Sequence, residues 1–215
     1  MTVEIRLKEV INKIESWDTK TLLRFYASDF SKKTQKAAKV YSFFGNGIFW
    51  FLIWSIFLIY AYFFTKDYFL VFLFSGGFNQ SFILYAFIRH RVVKRNRPFI
   101  TLKEYGIISH DSLIAENKSF PSGHVTFFLF FGFMIAFYYN SWMLLFVFFV
   151  LDIIMAVTRL ILGVHFPSDV LAGFGFGILF ALLYLGVTYT YWIWFYEWLV
   201  QIWLMIKAFF INLFI

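Results

Sequence analysis

The stretch VTRLILGVHFPSD, residues 157–169, lies between two long apolar segments and carries a guanidinium at Arg159, an imidazole at His165 and a carboxylate at Asp169. Ionisable side chains are costly within a membrane, so their presence beside spanning segments indicates a functional site. Taken alone, the stretch is also compatible with an ordinary loop between two membrane helices. Its meaning depends on whether other parts of the chain converge on it.

The composition is that of a membrane protein. Of 215 residues, 61% are hydrophobic, 14% are charged and 34 are phenylalanine, which is far from an average soluble protein. The chain has no cysteine, which excludes disulfides and a thiolate nucleophile. A net charge of +7 is also found in nucleic-acid-binding proteins, but here the basic residues flank apolar segments. This placement favours membrane lipids as partners and predicts no nucleic acid.

Apolar segments of spanning length dominate the chain after a polar N-terminal region. They predict an all-α fold, a polytopic membrane helix bundle of about six transmembrane helices with an N-terminal amphipathic helical arm. The segments are Phe43–Phe64, Tyr68–Arg89, Gly123–Tyr139, Trp142–Leu162, Asp169–Thr188 and Tyr191–Ile215. The last of them, rich in tryptophan, either spans the membrane or lies partly in the interface.

Residues 1–42 have a different character. They are rich in lysine and arginine and place apolar residues, such as Leu7, Ile11 and Ile14, at roughly helical spacing. The pattern predicts one or two amphipathic helices on the membrane surface, although a soluble helical arm is an equal alternative for the first 20 residues. We therefore divide the chain into an interfacial arm, 1–42, and a membrane domain, 43–215.

Counting the crossings brings the charged parts of the chain together. If consecutive segments cross the membrane in alternate directions, the end of the second, the start of the third, the end of the fourth and the start of the fifth share one face. Charged or polar clusters occupy these ends at residues 89–98, 120–124 and 158–169. The topology predicts that these clusters form one site.

The site has the groups expected of an anion-binding pocket. Arg97 and Arg159 carry guanidinium forks that bond phosphoryl oxygens in pairs and keep their charge near neutral pH. Ser122 and Gly123 begin a helix, whose free backbone N–H groups favour an anion. The plainer interpretation is that arginine-rich membrane loops only anchor to lipid head groups.

Two histidines add the potential for phosphoryl transfer. One imidazole can attack phosphorus while the other protonates the departing oxygen. Asp169 lies four residues after His165, where its carboxylate could reach back to orient the imidazole. A lone histidine at a helix end is more often an interfacial residue, so the hypothesis depends on His124 and His165 lying together.

These residues resemble the three-part signature of the type 2 phosphatidic acid phosphatase superfamily, membrane lipid phosphatases related to vanadium haloperoxidases. The family pattern is Lys-x6-Arg-Pro, Pro-Ser-Gly-His and Ser-Arg-x5-His-x3-Asp. In this chain Pro121-Ser122-Gly123-His124 matches the second part, and Arg159, His165 and Asp169 fall at the spacing of the third. The resemblance covers about residues 43 to 188 and implies that 43–215 is a membrane phosphatase domain with a signature-bearing core at 89–169.

The resemblance implies a function and a division of labour. The substrate would be a phosphorylated lipid, and no metal or cofactor would be needed. His165 would form a phosphohistidine, Asp169 would orient it, and His124 would protonate the leaving group. The phosphoryl oxygens would be held by Arg97, Arg159, Ser122 and Gly123. The protein would be an integral protein of the cell (cytoplasmic) membrane.

Two positions depart from the family pattern. His90 stands where the family has lysine, with Arg91 beside it, and Thr158 replaces serine but keeps the hydroxyl. The missing cation has three possible explanations: His90 is protonated by the bound phosphate dianion, Arg91 or Lys94 substitutes for it, or catalysis is weakened. His90 and Arg91 are therefore included as candidate phosphate-binding residues, and His90→Lys is expected to retain or raise hydrolysis.

Several alternatives stay open at the level of sequence. The departure at His90 supports a non-catalytic membrane phospholipid-binding scaffold that retains the phosphate pocket. The side of the membrane is also undecided, because family members commonly act outside the cytoplasm whereas 17 of 19 Lys/Arg fall on the side of the site. Undecaprenyl diphosphate, phosphatidylglycerophosphate, phosphatidic acid and lipid A phosphates all fit as substrates. The sequence carries no signal for an oligomeric state.

Overall fold

The computed structural model describes residues 3–111 and 116–214, and its regular structure is helical. Short 3₁₀ or π turns join or extend several of the α-helices. In chain order the α-helices are α1 (Val3–Ala27), α2 (Asp29–Ser42), α3 (Gly47–Tyr60), α4 (Phe69–Phe87), α5 (Pro98–Thr101), α6 (Gly123–Tyr138), α7 (Trp142–Ile161), α8 (Pro167–Leu183) and α9 (Tyr189–Phe214). The predicted all-α class is confirmed.

Short turns lie in the gaps between the predicted apolar segments. Lys66, with φ 59°, and Asn140, with φ 47°, adopt the left-handed conformation that reverses the chain after a helix. The following helices are then capped by side chains: Asp67 Oδ1 accepts a hydrogen bond from Phe69 N at 2.9 Å, and Ser141 Oγ accepts one from Leu144 N at 3.4 Å. These local interactions place α4 and α7 antiparallel to the helices before them.

Four helical segments are long and apolar enough to cross a membrane, as expected of an integral membrane protein. They are Gly47–Thr65, Phe69–Val92, Trp142–Ile161 and Pro167–Ile211. The apolar helix α6 is shorter, with 16 residues. At 1.5 Å per residue it measures about 24 Å, less than the hydrocarbon thickness of about 30 Å. It lies at the centre of the bundle, where Leu129, Phe130 and Met134 are fully buried.

The predicted fifth and sixth segments differ from expectation because they form one continuous helix. Helix α8 passes through a π turn, Tyr184–Thr188, directly into α9. No proline or charged residue interrupts the junction, and Gln80 Oε1 on α4 supports it by accepting hydrogen bonds from Thr188 Oγ1 at 2.6 Å and Trp192 Nε1 at 2.8 Å. The described residues therefore contain five apolar helices rather than six separate segments.

Glycines bring α8 against α6. A Cβ atom added at Gly173 would lie 3.1 Å from the carbonyl oxygen of Ser122, and one at Gly177 would lie 2.9 Å from that of Thr126. Gly173 and Gly177, four residues apart, thus form a small-residue face on α8 that lets the two helices come close together. Because Asp169 is in the first turn of α8, the same packing fixes its carboxylate relative to the start of α6.

Replacing Gly177 by alanine is expected to lower the free energy of unfolding by about 1–3 kcal/mol, since the new methyl group meets backbone that cannot move aside. Gly175→Ala is the matched control: its Cβ meets nothing within 4 Å, and alanine is the better helix former by about 1 kcal/mol. Thermal unfolding of the detergent-solubilised variants measures both. Equal melting temperatures would contradict the packing argument.

The N-terminal arm consists of two helices, as the sequence allows. The first half of α1 exposes apolar side chains, among them Leu7, Val10 and Ile14. Its second half docks on the bundle, where Asp18 is fully buried and Leu22 packs with Leu102, Ile107 and Phe166. The arm therefore covers the end of the bundle that carries the predicted site. Its position at the membrane interface stays a prediction.

Candidate active site

The three charged clusters lie together at one end of the bundle. The backbone N–H of Ser122, before α6, donates to the carbonyl oxygen of Asp169 in α8 at 3.0 Å. The Nη1 atom of Arg97, beyond the end of α4, lies 3.2 Å from His165 Nε2. His165 follows α7, so four helix ends converge here. This arrangement is the one that alternating crossings predict.

His165 occupies the loop between α7 and α8 and is 1% exposed. The loop turns sharply at Gly163, whose φ is +68° and where a Cβ would lie 2.7 Å from the carbonyl oxygen of Ile108. Burial, followed by the positive charges of Arg97, Arg159 and Arg89, lowers the pKa of His165 well below its ordinary value. The imidazole is therefore neutral near pH 7, with a ring nitrogen lone pair available.

Asp169 is fully buried beside this imidazole. Its Oδ2 atom lies 3.7 Å from His165 Nδ1, a close approach that is longer than a hydrogen bond. The same oxygen accepts hydrogen bonds from Phe166 N at 2.8 Å and from the hydroxyl of Ser119. Its other oxygen, Oδ1, accepts one from Arg95 Nη1 at 3.0 Å. The carboxylate is thus held from both sides and faces the ring of His165.

Arg97 is held by backbone oxygens. Its Nε donates to the carbonyl of Glu116 at 2.7 Å and its Nη1 to that of Val164 at 3.1 Å. Burial, then the nearby charges of Arg89 and Arg159, lower the pKa of Arg97 to about 10. The guanidinium groups of Arg89, Arg97 and Arg159 are close enough for each to disfavour the positive charge of the others. An anion bound among them would stabilise all three.

Arg159, near the end of α7, is fully buried. Its Nη2 donates to Asp111 Oδ2 at 3.0 Å, and its Nη1 donates to the hydroxyl of Ser42 at the end of the arm. A buried guanidinium without an anionic partner would be strongly destabilising, so the carboxylate of Asp111 provides the required counter-charge. A substrate phosphate that binds Arg159 would share or replace this contact.

The start of α6 places the Pro-Ser-Gly-His motif against the same cluster. A Cβ at Gly123 would lie 2.6 Å from the Tyr85 hydroxyl oxygen, so glycine permits this close packing. His124 follows in the first turn and packs against Gly45, where a Cβ would lie 2.8 Å from the histidine Cδ2. The hydroxyl of Ser122 is buried and makes no hydrogen bond to the described residues. It makes no capping hydrogen bond to α6.

His90 and Arg91 are placed differently from the other candidates. Both lie in the π turn Ile88–Val92 at the end of α4. The side chain of His90 is 46% exposed, with Nε2 3.4 Å from Glu116 Oε1, and Arg91 is exposed. The structure does not bring either into the buried cluster with Arg97.

Arg89 is the neighbouring cation that is buried. Its Nε donates to Glu116 Oε2 at 2.6 Å, and its Nη1 donates to the Tyr85 hydroxyl at 2.6 Å and to the carbonyl of Pro121 at 3.0 Å. It therefore links the end of α4 to the Pro-Ser-Gly-His motif. Motif spacing alone points to His90, but Arg89 lies four residues after Tyr85 on the inward face of the helix, and that helical spacing is the signal that identifies it.

Arg89 and His90 are adjacent in the chain, but substitutions at the two residues are expected to change activity differently. Arg89→Met should lower activity by about 10- to 100-fold, because it removes a buried charge with charge-assisted hydrogen bonds of about 1.5–3 kcal/mol each. His90→Lys should retain or raise activity, since the side chain is half exposed and lysine can still pair with Glu116. Initial rates of phosphate release measure both. A severe loss in folded His90→Lys together with little change in Arg89→Met would reverse the assignment.

Sequence reasoning also missed Arg95 and Asp18. The Nη1 atom of Arg95 donates to Ser168 Oγ at 2.7 Å and to Asp169, and its Nη2 donates to Asp18 Oδ2 at 2.6 Å. Its guanidinium lies 4.0 Å from the centre of the Phe166 ring. Asp18 belongs to the arm, far from any motif, and no sequence pattern connects it to the site.

Comparison with known proteins agrees with this geometry. The family model of the PAP2 superfamily matches residues 64–196, more than half of the chain. This chain belongs to the PAP2 superfamily. The family resemblance inferred from the three motifs is thereby confirmed, and the matched region contains Arg97, His124, Arg159, His165 and Asp169.

Curated relatives match part of the chain. Two proteins named lipid A 1-phosphatase, from Rhizobium johnstonii and Rhizobium etli, are 34% and 35% identical to it over 107 residues. The match takes in 46% of this chain and 41% and 43% of those relatives. The PAP2 chain thus matches less than half the length of either relative.

Two solved structures have a similar fold. Aquifex aeolicus LpxE aligns with a TM-score of 0.57 and 17% identity, covering 79% of this chain and 95% of that one. The transmembrane PAP2-type phosphatidylglycerolphosphate phosphatase of Bacillus subtilis aligns with a TM-score of 0.50 and 19% identity, covering 77% and 90%. At these identities the likeness is one of fold.

Proposed function

We propose that this PAP2 protein is an integral-membrane phosphatase that hydrolyses a phosphomonoester or diphosphate of a lipid through a phosphohistidine. The observation that carries the proposal is the environment of His165, whose Nε2 lies 3.2 Å from the Arg97 guanidinium and whose Nδ1 lies 3.7 Å from the Asp169 carboxylate. A neutral imidazole between a phosphate-binding cation and an orienting carboxylate is suited to attack phosphorus. Membership of the PAP2 superfamily supports the same activity.

In the first step, His165 Nε2 forms a bond to phosphorus and the bond from phosphorus to the lipid oxygen breaks. His124 donates a proton to that oxygen, so that the lipid leaves as an alcohol or, from a diphosphate, as a monophosphate. Asp169 stabilises the positive charge that develops on the ring through Nδ1. Arg97, Arg159, the hydroxyl of Ser122 and the N–H of Gly123 hold the phosphoryl oxygens. Arg89 adds positive charge to this pocket.

In the second step, water attacks the phosphohistidine. His124, now unprotonated, takes a proton from the water as its oxygen bonds to phosphorus, and the bond between phosphorus and nitrogen breaks. Inorganic phosphate leaves and His165 returns as a neutral imidazole. His124 gives one proton to the leaving group and recovers one from water, while His165 only forms and breaks the bond to phosphorus, so these residues complete the cycle without a metal ion.

The proposed substrate is a class of phosphorylated lipids rather than one particular lipid. The names of the Rhizobium relatives favour lipid A 1-phosphate, and that of the Bacillus structure favours phosphatidylglycerophosphate. Undecaprenyl diphosphate and phosphatidic acid present the same phosphoryl group to the pocket. The basic arm, held at the membrane surface, would keep the site close to such anionic head groups.

Phosphate release from a panel of these lipids tests the proposal. The purified protein in detergent micelles is expected to release inorganic phosphate from at least one of lipid A, phosphatidylglycerophosphate, phosphatidic acid and undecaprenyl diphosphate. Because no step uses a metal, the rate should be unchanged in excess EDTA. Binding of these lipids without any release would favour a non-catalytic scaffold, and loss of activity with EDTA would contradict the metal-independent mechanism.

A further inference from the structure

A chain of ionic contacts connects the N-terminal arm to the proposed catalytic carboxylate. Asp18, in α1, is fully buried and accepts a hydrogen bond from Arg95 Nη2 at 2.6 Å. The other end of that guanidinium, Nη1, donates to Asp169 Oδ1 at 3.0 Å. Asp169 in turn faces His165. The arm is thus connected to Asp169, the residue that orients the proposed nucleophile, through one side chain, that of Arg95.

Asp18 also holds the beginning of α8. Its Oδ1 accepts a hydrogen bond from the backbone N–H of Ser168 at 2.8 Å, and its Oδ2 accepts one from the Ser168 hydroxyl at 2.5 Å. The first N–H groups of a helix have no partner within the helix, and a carboxylate is favoured there. Because Asp169 is the next residue, Asp18 fixes the backbone that carries the catalytic carboxylate as well as the cation paired with it.

The charges in this chain of contacts are unequal. Asp18 and Asp169 share the single guanidinium of Arg95. The three side chains together therefore carry a net negative charge beside His165. If Arg95 were paired with Asp169 alone, that carboxylate would be neutralised by its own partner and would stabilise a positively charged ring less well. The second carboxylate leaves the charge of Asp169 available to the imidazole.

We propose that Asp18 is a positioning residue of the active site, acting through Arg95 and Ser168 to hold Asp169 in place and to keep its negative charge available to His165. The arm is then a working part of the phosphatase rather than an anchor alone. This inference rests on the proposed function, because it assigns Asp169 the task of orienting a nucleophilic His165.

The attachment of the arm does not depend on Asp18 alone. Leu22 packs into an apolar cluster with Leu102, Ile107 and Phe166. The hydroxyl of Tyr26 lies 2.8 Å from His110 Nε2. These contacts lie further along α1, so a substitution at Asp18 can disturb the ionic chain while the arm stays docked.

The decisive variant is Asp18→Asn. The amide keeps the shape but loses the charge, and either orientation points its NH₂ at a donor, Arg95 Nη2 or the Ser168 N–H. We expect kcat to fall by about 10- to 100-fold, in keeping with the loss of charge-assisted hydrogen bonds. KM and the inhibition constant of orthovanadate should change little, because Asp18 does not contact the phosphate pocket. Asp18→Glu should recover part of the rate.

The matched control is Glu15→Gln, which removes a carboxylate from an exposed position of the same helix and should leave kcat unchanged. Thermal unfolding of each variant reports whether the arm and bundle remain folded. Should Asp18→Asn prove too unstable to assay, Arg95→Lys provides a second test. It keeps the cation but replaces two guanidinium nitrogens by a single one, which cannot reproduce the hydrogen bonds to Asp18, Ser168 and Asp169 in their present geometry, so kcat should again fall with KM retained.

A double-mutant cycle shows whether Asp18 acts through Asp169. If it does, Asp18→Asn should cost little further activity in an Asp169→Asn background, since the carboxylate being positioned is already gone. Independent, multiplicative losses would overturn the inference, as would wild-type kcat in Asp18→Asn. If His165→Ala were as active as wild type, the proposed function itself would fail, so the two failures are distinguishable.

Discussion

Replacing His165 by alanine is expected to reduce phosphate release by at least about 1,000-fold, because the covalent route loses its nucleophile. The ring is buried, with Arg97 on one side and Asp169 on the other, and burial together with the nearby arginines keeps it neutral. No other histidine of the described residues combines these neighbours. The initial rate with the best lipid of the panel measures the loss.

The same variant should abolish the covalent intermediate. Wild-type protein mixed with radiolabelled lipid and quenched in alkali should carry label that is lost in acid, the behaviour of a phosphorus–nitrogen bond. His110→Ala is the matched control, since His110 bonds to Tyr26 outside the cluster, and it should retain most of the activity. Undiminished release by folded His165→Ala would mean that another group attacks phosphorus or that the activity arises elsewhere.

Orthovanadate is expected to stabilise the wild-type protein against heat. Burial and the charges of Arg89 and Arg159 lower the pKa of Arg97 to about 10, so the pocket holds its cations at a cost that a bound oxyanion relieves. An anion at 100 times its Kd adds about 2.7 kcal/mol of stability, which corresponds to a rise in Tm of about 5–10 °C for a chain of this size. Differential scanning fluorimetry in detergent measures the shift.

The stabilisation should disappear when the guanidinium groups are removed. Arg97→Met and Arg159→Met are each expected to lose most of the vanadate-dependent rise in Tm. Arg24→Met, at an exposed position of the arm, should keep it. A rise of equal size in Arg97→Met and Arg159→Met would show that the anion binds elsewhere. The test needs no knowledge of the lipid, so it probes the pocket independently of turnover.

Much of the site was predictable because its chemistry is concentrated in short motifs. His165 and Asp169 are four residues apart, with Pro167 beginning the helix between them, and this spacing turns both side chains toward one place. Arg159 and His124 lie at ends of apolar segments, so alternate crossing of the membrane was enough to bring them to the same face. These relations are local or topological, and neither needs the details of packing.

Other features depended on how the elements pack. The identity of the buried cation near Arg97 could not be read from motif spacing, because the π turn at the end of α4 turns Arg89 inward and leaves His90 half exposed. The length of the last helix could not be predicted from the sequence either. Apolar composition gives no mark where one segment ends and the next begins, and contacts with Gln80 on α4 support the continuous helix.

The sequence by itself determined the membrane helix bundle, the family and the residues expected to transfer phosphate. Hydrophobic segment length and motif spacing carry that information, and both are properties of neighbouring residues. Only the tertiary structure decided that Arg89 is buried, that Arg159 is paired with Asp111 and that Asp18 reaches Asp169 through Arg95. These partners are distant in the chain, and a buried charge selects its counter-charge by position in space, which the order of residues does not display.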